Sequence, residues 1–284
     1  LGRTQSFTEE PIITSNPPVP TLPRVAASHF LNSAPLIWSF LHGSKQGVVE
    51  LIDAVPSRCA RLLDQAEVEV ALVPVIEYQR IQNISLIPDV CVGSKGEVRS
   101  VVLVSKLRQL EEVRSVALDE SSRTSATLVK ILFREFLRAE PSWASHSPNL
   151  PEMLEHSDAA LIIGDPGMTF PRDGLTVWDM ATVWRQHTGL GFVFAMWMVR
   201  NAAIERASAV DFASARDEGV NLIEDIVEHY RSLVPLPLEE LGSYLTDNIA
   251  FSIDESMRAG LQLYFELAHK HSLIESVRPL VFQK

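Results

Sequence analysis

Apolar residues along this chain recur in two rhythms, and the rhythms take turns. Short runs rich in Val, Ile, Leu and Ala read as buried strands. Between them the apolar positions return every three or four residues, as on one face of a helix. In the first part of the chain the pattern predicts strands over 24–29, 48–54, 68–74, 85–92 and 98–105. Pro74 closes the third of these, because proline cannot donate to a sheet. Residues 32–41 read as a helix with Pro35 near its start, where a missing N–H is harmless. Residues 56–65 read as another, with Leu62 and Leu63 inward, and 93–96 supply a glycine-containing turn.

A second block opens near Leu107, with strands predicted over 113–118 and 159–163. Between them, 121–125 form a turn that opens an amphipathic helix in which Leu128, Leu132 and Phe136 share a face. Residues 178–188 read as helix and 190–199 as a long apolar strand. The remainder is helical: 209–230 with Val220, Ile223, Val227 and Tyr230 on one side, then 238–244. Ser252 to Glu255 have the spacing of a capping box, and Met257, Leu261, Tyr264 and Ala268 continue the helix that follows.

Strands alternating with helices predict an α/β fold with mainly parallel sheets. The two blocks predict two lobes, 24–106 with 191–284 in one and 107–190 in the other, after an irregular Thr-, Ser- and Pro-rich tail over 1–23. The chain would cross between lobes near Ser105 and near Gly191. A ligand would then sit in the central cleft, where domain interfaces place pockets.

Composition narrows the partners. The 284 residues are 46% hydrophobic and 21% charged, an ordinary globular balance that allows one large core or two modest ones. A net charge of −11 argues against nucleic acid, whose phosphates need clustered Lys and Arg. The same field repels an anionic ligand, so any anion site must be local, built from oriented N–H groups and a nearby Arg. Residues 192–199 are the longest apolar run, too short to span a bilayer, and 1–23 lack the apolar core of a secretory signal. No membrane partner is expected. Two cysteines, Cys59 and Cys91, read as buried thiols and not as a disulfide.

The candidate chemistry lies where strands meet turns. Ser121 to Ser125 place hydroxyls at a helix start, whose free N–H groups attract an anion, and Arg123 can pair with a carboxylate. A plain helix cap is the other reading of Ser121 or Ser122. Asn32 can donate and accept at once, and serves equally as a turn or cap residue. Ser100 is a hydroxyl inside an apolar strand, which needs a partner. Gly164-Asp165 ends a buried strand, where open α/β sheets bind ligands. His29 has the only side-chain type with an ordinary pKa near neutrality, but a single His beside Phe30 also fits a packed core. Metal-ligand spacings, a phosphate loop and a nucleophile elbow are missing, and Gly189-Leu190-Gly191 lacks the third glycine of a dinucleotide turn. No metal or cofactor is expected.

Taken in order, Phe30-Leu31-Asn32-Ser33-Ala34-Pro35-Leu36, Val92-Gly93, Ser100-Val101-Val102-Leu103-Val104-Ser105, Ser122-Arg123-Thr124-Ser125 and Ile163-Gly164-Asp165 resemble the chorismate dehydratases. Gly189-Leu190, Phe192-Val193-Phe194-Ala195, Tyr244-Leu245-Thr246-Asp247-Asn248-Ile249 and Gly260-Leu261 extend the resemblance over nearly all the chain from Arg24. It implies a two-lobe, type II periplasmic-binding-protein-like fold in a cytoplasmic enzyme of the futalosine route to menaquinone. It implies Asn32 and Ser100 at the reacting centre, Ser122 to Ser125 on a substrate carboxylate, and Gly164 and Asp165 lining the cleft. The implied reaction removes water from chorismate, giving 3-[(1-carboxyvinyl)oxy]benzoate. The base is either the substrate's own enolpyruvyl carboxylate or His29. A sister dihydroxynaphthoate synthase of this fold would open with a different motif, and a non-catalytic solute-binding protein for a small carboxylate is the alternative outside enzymes.

Overall fold

The strands of this chain share one end. In the computed structural model, which describes residues 22–283, ten strands form two five-stranded sheets that meet at a common cleft. The first sheet has the order β2-β1-β3-β10-β4, from β1 (Arg24–Ala27), β2 (Glu50–Asp53), β3 (Val70–Pro74), β4 (Ile84–Ser94) and β10 (Phe192–Arg200). The second has the order β7-β6-β8-β5-β9, from β5 (Val101–Ser105), β6 (Ser115–Asp119), β7 (Ser142–His146), β8 (Ala159–Ile163) and β9 (Thr176–Asp179). The expected tail over 1–23 lies almost wholly outside the described residues.

The sheets are mixed, not mainly parallel. Strands β1, β2 and β3 run parallel, as do β6, β7 and β8. Strand β10 runs antiparallel to β3 and β4, and β5 antiparallel to β8 and β9. The cause is the double crossing. Strands β5 and β10 arrive from the other sheet, enter at the cleft and run away from it, whereas β1, β3, β6 and β8 run towards it. The first crossing falls in 95–100 and not near Ser105, because Val101 to Ser105 pair with Ile163 to Ala159 in the second sheet.

Helices cover both sheets: α1 (Ala34–Leu41), α2 (Pro56–Asp64), α3 (Thr124–Ile131), α4 (Leu150–His156), α5 (Pro166–Thr169) and α6 (Met180–Thr188). After β10 come α7 (Ile204–Ala207), α8 (Phe212–Asn221), α9 (Ile223–Tyr230), α10 (Leu238–Ser243) and α11 (Glu255–Lys270). Several sequence expectations shift. The helix predicted over 209–230 breaks at Leu222, which leaves Val220 at 37% exposure and off the buried face. The cap of α11 is Asp254, which accepts from the Met257 N–H at 2.8 Å, and not Ser252. Residues 176–179, partly read as helix, form β9, and Asp179 then caps α6. Helix α3 continues through Leu132–Phe136 as a widened π-turn.

One apolar core runs beneath both sheets, and a smaller cluster lies where Met153 and Leu154 of α4 meet β5 and β8. Helix α11 packs on the start of β10 so closely that a Cβ on Gly260 would stand 2.0 Å from the Gly191 carbonyl oxygen. Both cysteines are buried free thiols, and Cys59 donates to the Ala54 carbonyl at 3.1 Å. No helix among the described residues is long and apolar enough to cross a membrane.

Candidate active site

The loops at the common strand ends line a partly open cavity between the two sheets. Ser28, Phe30, Asn32 and Ser33 border it on the first sheet's side, and Ser121 to Ser125 with Ile163 and Gly164 on the second's. The rest of the wall is apolar, from Pro56, Leu72, Pro74, Val92, Val101, Phe194 and Ala195. Such a wall accepts a flat hydrocarbon ring and strengthens the few polar contacts set in it.

The 121–125 turn carries the anion-binding features. Strand β6 ends in Asp119, whose carboxylate accepts from Ser121 N at 2.8 Å and Ser121 Oγ at 2.6 Å. Burial pushes the Asp119 carboxyl above its usual range, against those hydrogen bonds. Ser121 is therefore committed to shaping the turn. Ser122 Oγ is buried without a hydrogen-bond partner and borders the cavity. A buried hydroxyl left open is costly unless a ligand completes it. Thr124 holds the turn to the first sheet by accepting from Ile76 N at 3.3 Å, while Tyr264 Oη donates to the Thr124 carbonyl at 3.0 Å. Arg123 is exposed at the cavity edge, and its guanidinium makes no ion pair among the described residues. The plain-cap reading fails here, since α3 has no side-chain cap bond.

Asn32 sits in a 3-10 turn, Leu31–Ser33, between β1 and α1. Its Oδ1 accepts from Ser33 Oγ at 3.1 Å, and Ser33 Oγ lies 3.2 Å from Ser28 Oγ. Ser100 is fully buried behind the wall, and its Oγ accepts from Tyr244 Oη at 2.7 Å. Its partner is thus a side chain and not the backbone carbonyl expected of a buried serine. Burial raises the Tyr244 phenol far above its usual pKa and keeps it neutral. Tyr244 lies within a matched segment, but its sequence neighbours Gly242, Ser243, Leu245 and Thr246 give no hint of the contact with Ser100.

Asp165 acts between the lobes. Its carboxylate accepts from Leu31 N at 3.0 and 3.3 Å, tying the end of β8 to the turn that carries Asn32. Burial pushes its carboxyl up to about 6, and the Leu31 bond opposes this. Gly164 beside it has φ +68°, and a Cβ there would stand 2.9 Å from the Phe30 ring. His29 does not border the cavity. Its ring is half-exposed, with Nδ1 3.7 Å from an Asp53 carboxylate oxygen. The structure therefore brings Asn32 and Ser122 to Ser125 to one cavity with Gly164, sets Ser100 and Asp165 just behind it, and leaves His29 outside.

Residues 23–270 match a family model described as menaquinone biosynthesis. The chain belongs to this family. Over 236 residues it is 33% identical to the chorismate dehydratase of Thermus thermophilus, an alignment that covers 76% of this chain and 85% of that protein. The fold is similar to that of protein AF1704 from Archaeoglobus fulgidus, with a TM-score of 0.74 at 19% identity, covering 89% of this chain and 98% of that one. It is also similar to the aliphatic sulphonate binding protein SsuA of Escherichia coli, with a TM-score of 0.65 at 14% identity over 93% and 98% of the two chains. This member of the menaquinone-biosynthesis family thus has the two-lobe periplasmic-binding-protein fold.

Proposed function

We propose that this chain is a chorismate dehydratase, a hydro-lyase that removes one water from chorismate to give 3-[(1-carboxyvinyl)oxy]benzoate in the cytoplasm, without a cofactor. The observation that carries the reading is an apolar cavity in which the unpartnered Ser122 hydroxyl, the unpaired Arg123 and the start of α3 face Asn32. The likeness to a dehydratase over most of the chain supports the same assignment.

The chemistry follows from where charge develops. The hydrogen on the ether-bearing ring carbon is vinylogous to the ring carboxylate. Removing it sends the C–H electron pair into the ring and onto that carboxylate. Ser122 to Ser125 and Arg123 hold this group, so the N–H groups of α3 stabilise the transition state more than the ground state. The neighbouring C–O bond then breaks, and the hydroxide leaves with the abstracted proton as water. Aromatisation makes the step downhill, so positioning supplies most of what the enzyme adds. The enolpyruvyl carboxylate is the base, held with the departing hydroxyl by Asn32, with Ser100 buried just behind. The outward position of His29 supports this over a histidine base.

The test is incubation of the purified protein with chorismate alone, followed by mass spectrometry. A product lighter by one water, with an aromatic absorption spectrum, is the expected result. Tight binding of unchanged chorismate would replace the reading with a solute-binding function, and the absence of both binding and turnover would remove the substrate assignment.

A further inference from the structure

Asn32 follows a strand of the first sheet and Ser100 precedes a strand of the second, so their separation is set by whatever joins the sheets at the cleft. One dipeptide does this through direct bonds. Gly164 N donates to the Ser100 carbonyl at 2.8 Å. The next residue, Asp165, accepts through its carboxylate from Leu31 N at 3.0 Å, one residue before Asn32. Two hydrogen bonds through Gly164-Asp165 thus connect the backbone at Ser100 to the turn that carries Asn32. The dipeptide is itself fixed. Met168 N and Thr169 Oγ1 donate to the Asp165 carbonyl at 3.0 and 3.1 Å, and a Cβ on Gly167 would stand 3.0 Å from the Ser100 carbonyl oxygen.

The turn that carries Asn32 has no cap of its own. Neither Phe30 before the 3-10 turn nor Ser33 before α1 makes a side-chain cap bond. The first N–H groups of a helical segment lack partners within it. Asp165 supplies an acceptor for the Leu31 N–H from the opposite lobe, as a cap residue does from within the same segment. On the near side the chain is held at His29, whose carbonyl accepts from Tyr230 Oη at 2.9 Å and whose N–H donates to Asp53 at 3.2 Å. Charge points the same way. Asp165 is not part of the cavity wall, and a carboxylate close behind a site for an anion disfavours binding, so contact with the ligand does not account for it.

We propose that Asp165 is a positioning residue for the reaction: its carboxylate caps the Leu31 turn from across the cleft and holds Asn32 in register with Ser100. This rests on the dehydratase reading above. The sequence motif implies Asp165 beside the substrate, whereas its carboxylate is on the backbone next to Asn32. Without an acceptor at 165 the Leu31 N–H is left open, and the turn is free to shift relative to Ser100. A displacement of about 1 Å in a reacting group costs on the order of a hundredfold in rate. The loss falls on turnover more than on binding, because the 121–125 turn that holds the substrate carboxylate is untouched.

The experiment is a double-mutant cycle with chorismate as substrate, reading kcat and KM separately well below each variant's Tm. Asp165→Ala should lower kcat by about tenfold to a hundredfold and move KM by less than about threefold. Asp165→Asn keeps an acceptor for the Leu31 N–H and should stay within about threefold of wild type in kcat. On an Asn32→Ala background, Asp165→Ala should cost less than about twofold, because its route of action is gone. A purely structural aspartate would lower Tm and leave kcat in place. Where wild-type protein turns over, four results overturn the inference alone: Asp165→Ala within about twofold of wild type, a loss carried by KM, an equal loss in Asp165→Asn, or an equal loss on the Asn32→Ala background. Wild-type protein without turnover overturns the dehydratase reading, and this inference with it. If Asp165→Ala fails to fold, Asp165→Leu, similar in size but without an acceptor, takes its place in the same cycle.

Discussion

Asn32 and His29 are three residues apart and meet opposite environments. Asn32 borders the cavity with its amide fixed by Ser33, whereas the His29 ring faces solvent beside Asp53. On the proposed mechanism the two should separate cleanly under mutation. Asn32→Ala should lower kcat on the order of a hundredfold, as loss of one preorganised donor does, with KM changed far less. His29→Ala should retain turnover within a few-fold across the neutral pH range. Steady-state kinetics on both variants checks this, and a His29→Ala enzyme that binds chorismate without converting it would put the base back on the protein. At this scale the sequence was partly readable. Asn32 and Ser122 stand in polar motifs at strand ends, where the chemistry belongs. The Tyr244–Ser100 contact was hidden, because nothing in Gly242 to Asn248 shows which distant hydroxyl the tyrosine meets.

Among elements, the most readable were those buried on every side. Strands β3, β5 and β8 are mostly Val, Leu, Ile and Ala, β10 adds Phe, Met and Trp, and the pattern located each within a few residues. The edge strand β7 was missed because Ser-Trp-Ala-Ser-His has no apolar alternation; only Trp143 packs inward, edge-on to Phe133 at 5.7 Å. Strand direction was misjudged for a different reason: alternation of strands and helices does not record a chain that leaves a sheet and returns. The junction of β8 with α5 supplies a prediction. Gly164 is in the left-handed region with Phe30 against it, so Gly164→Ala suffers both backbone strain and a clash across the cleft. It should lose on the order of 2–4 kcal/mol, read as a lower urea midpoint with unchanged slope. A variant as stable as wild type would mean that Phe30 moves aside freely.

For the whole molecule, the contact between lobes includes a titrating group. Asp165 holds the Leu31 N–H from across the cleft, and its carboxyl rises from 3.8 to about 6. A carboxyl raised in the folded state binds protons more tightly there than when unfolded. Its stabilising effect is complete below 3.8 and is lost as pH rises through about 6. Asp165→Asn keeps an acceptor for Leu31 and removes the buried charge. Its Tm relative to wild type should therefore rise between pH 4 and pH 7, by about a few degrees. Calorimetry at both pH values checks the sign, and a Tm difference that shrinks as pH rises would contradict it.

The double crossing also sets the order in which the molecule can be completed. Strand β4 has one neighbour in its sheet, β10, and its outer edge is covered by Phe251, Ala250 and the backbone near Phe282. All of these lie roughly a hundred residues or more further along the chain, by sequence number. During synthesis β4 therefore emerges with both edges open, and the second sheet, contiguous in sequence from β5 to β9, can close before the first. A chaperone acting on the nascent chain would find its target in residues 84–94, an apolar strand waiting for a partner not yet made.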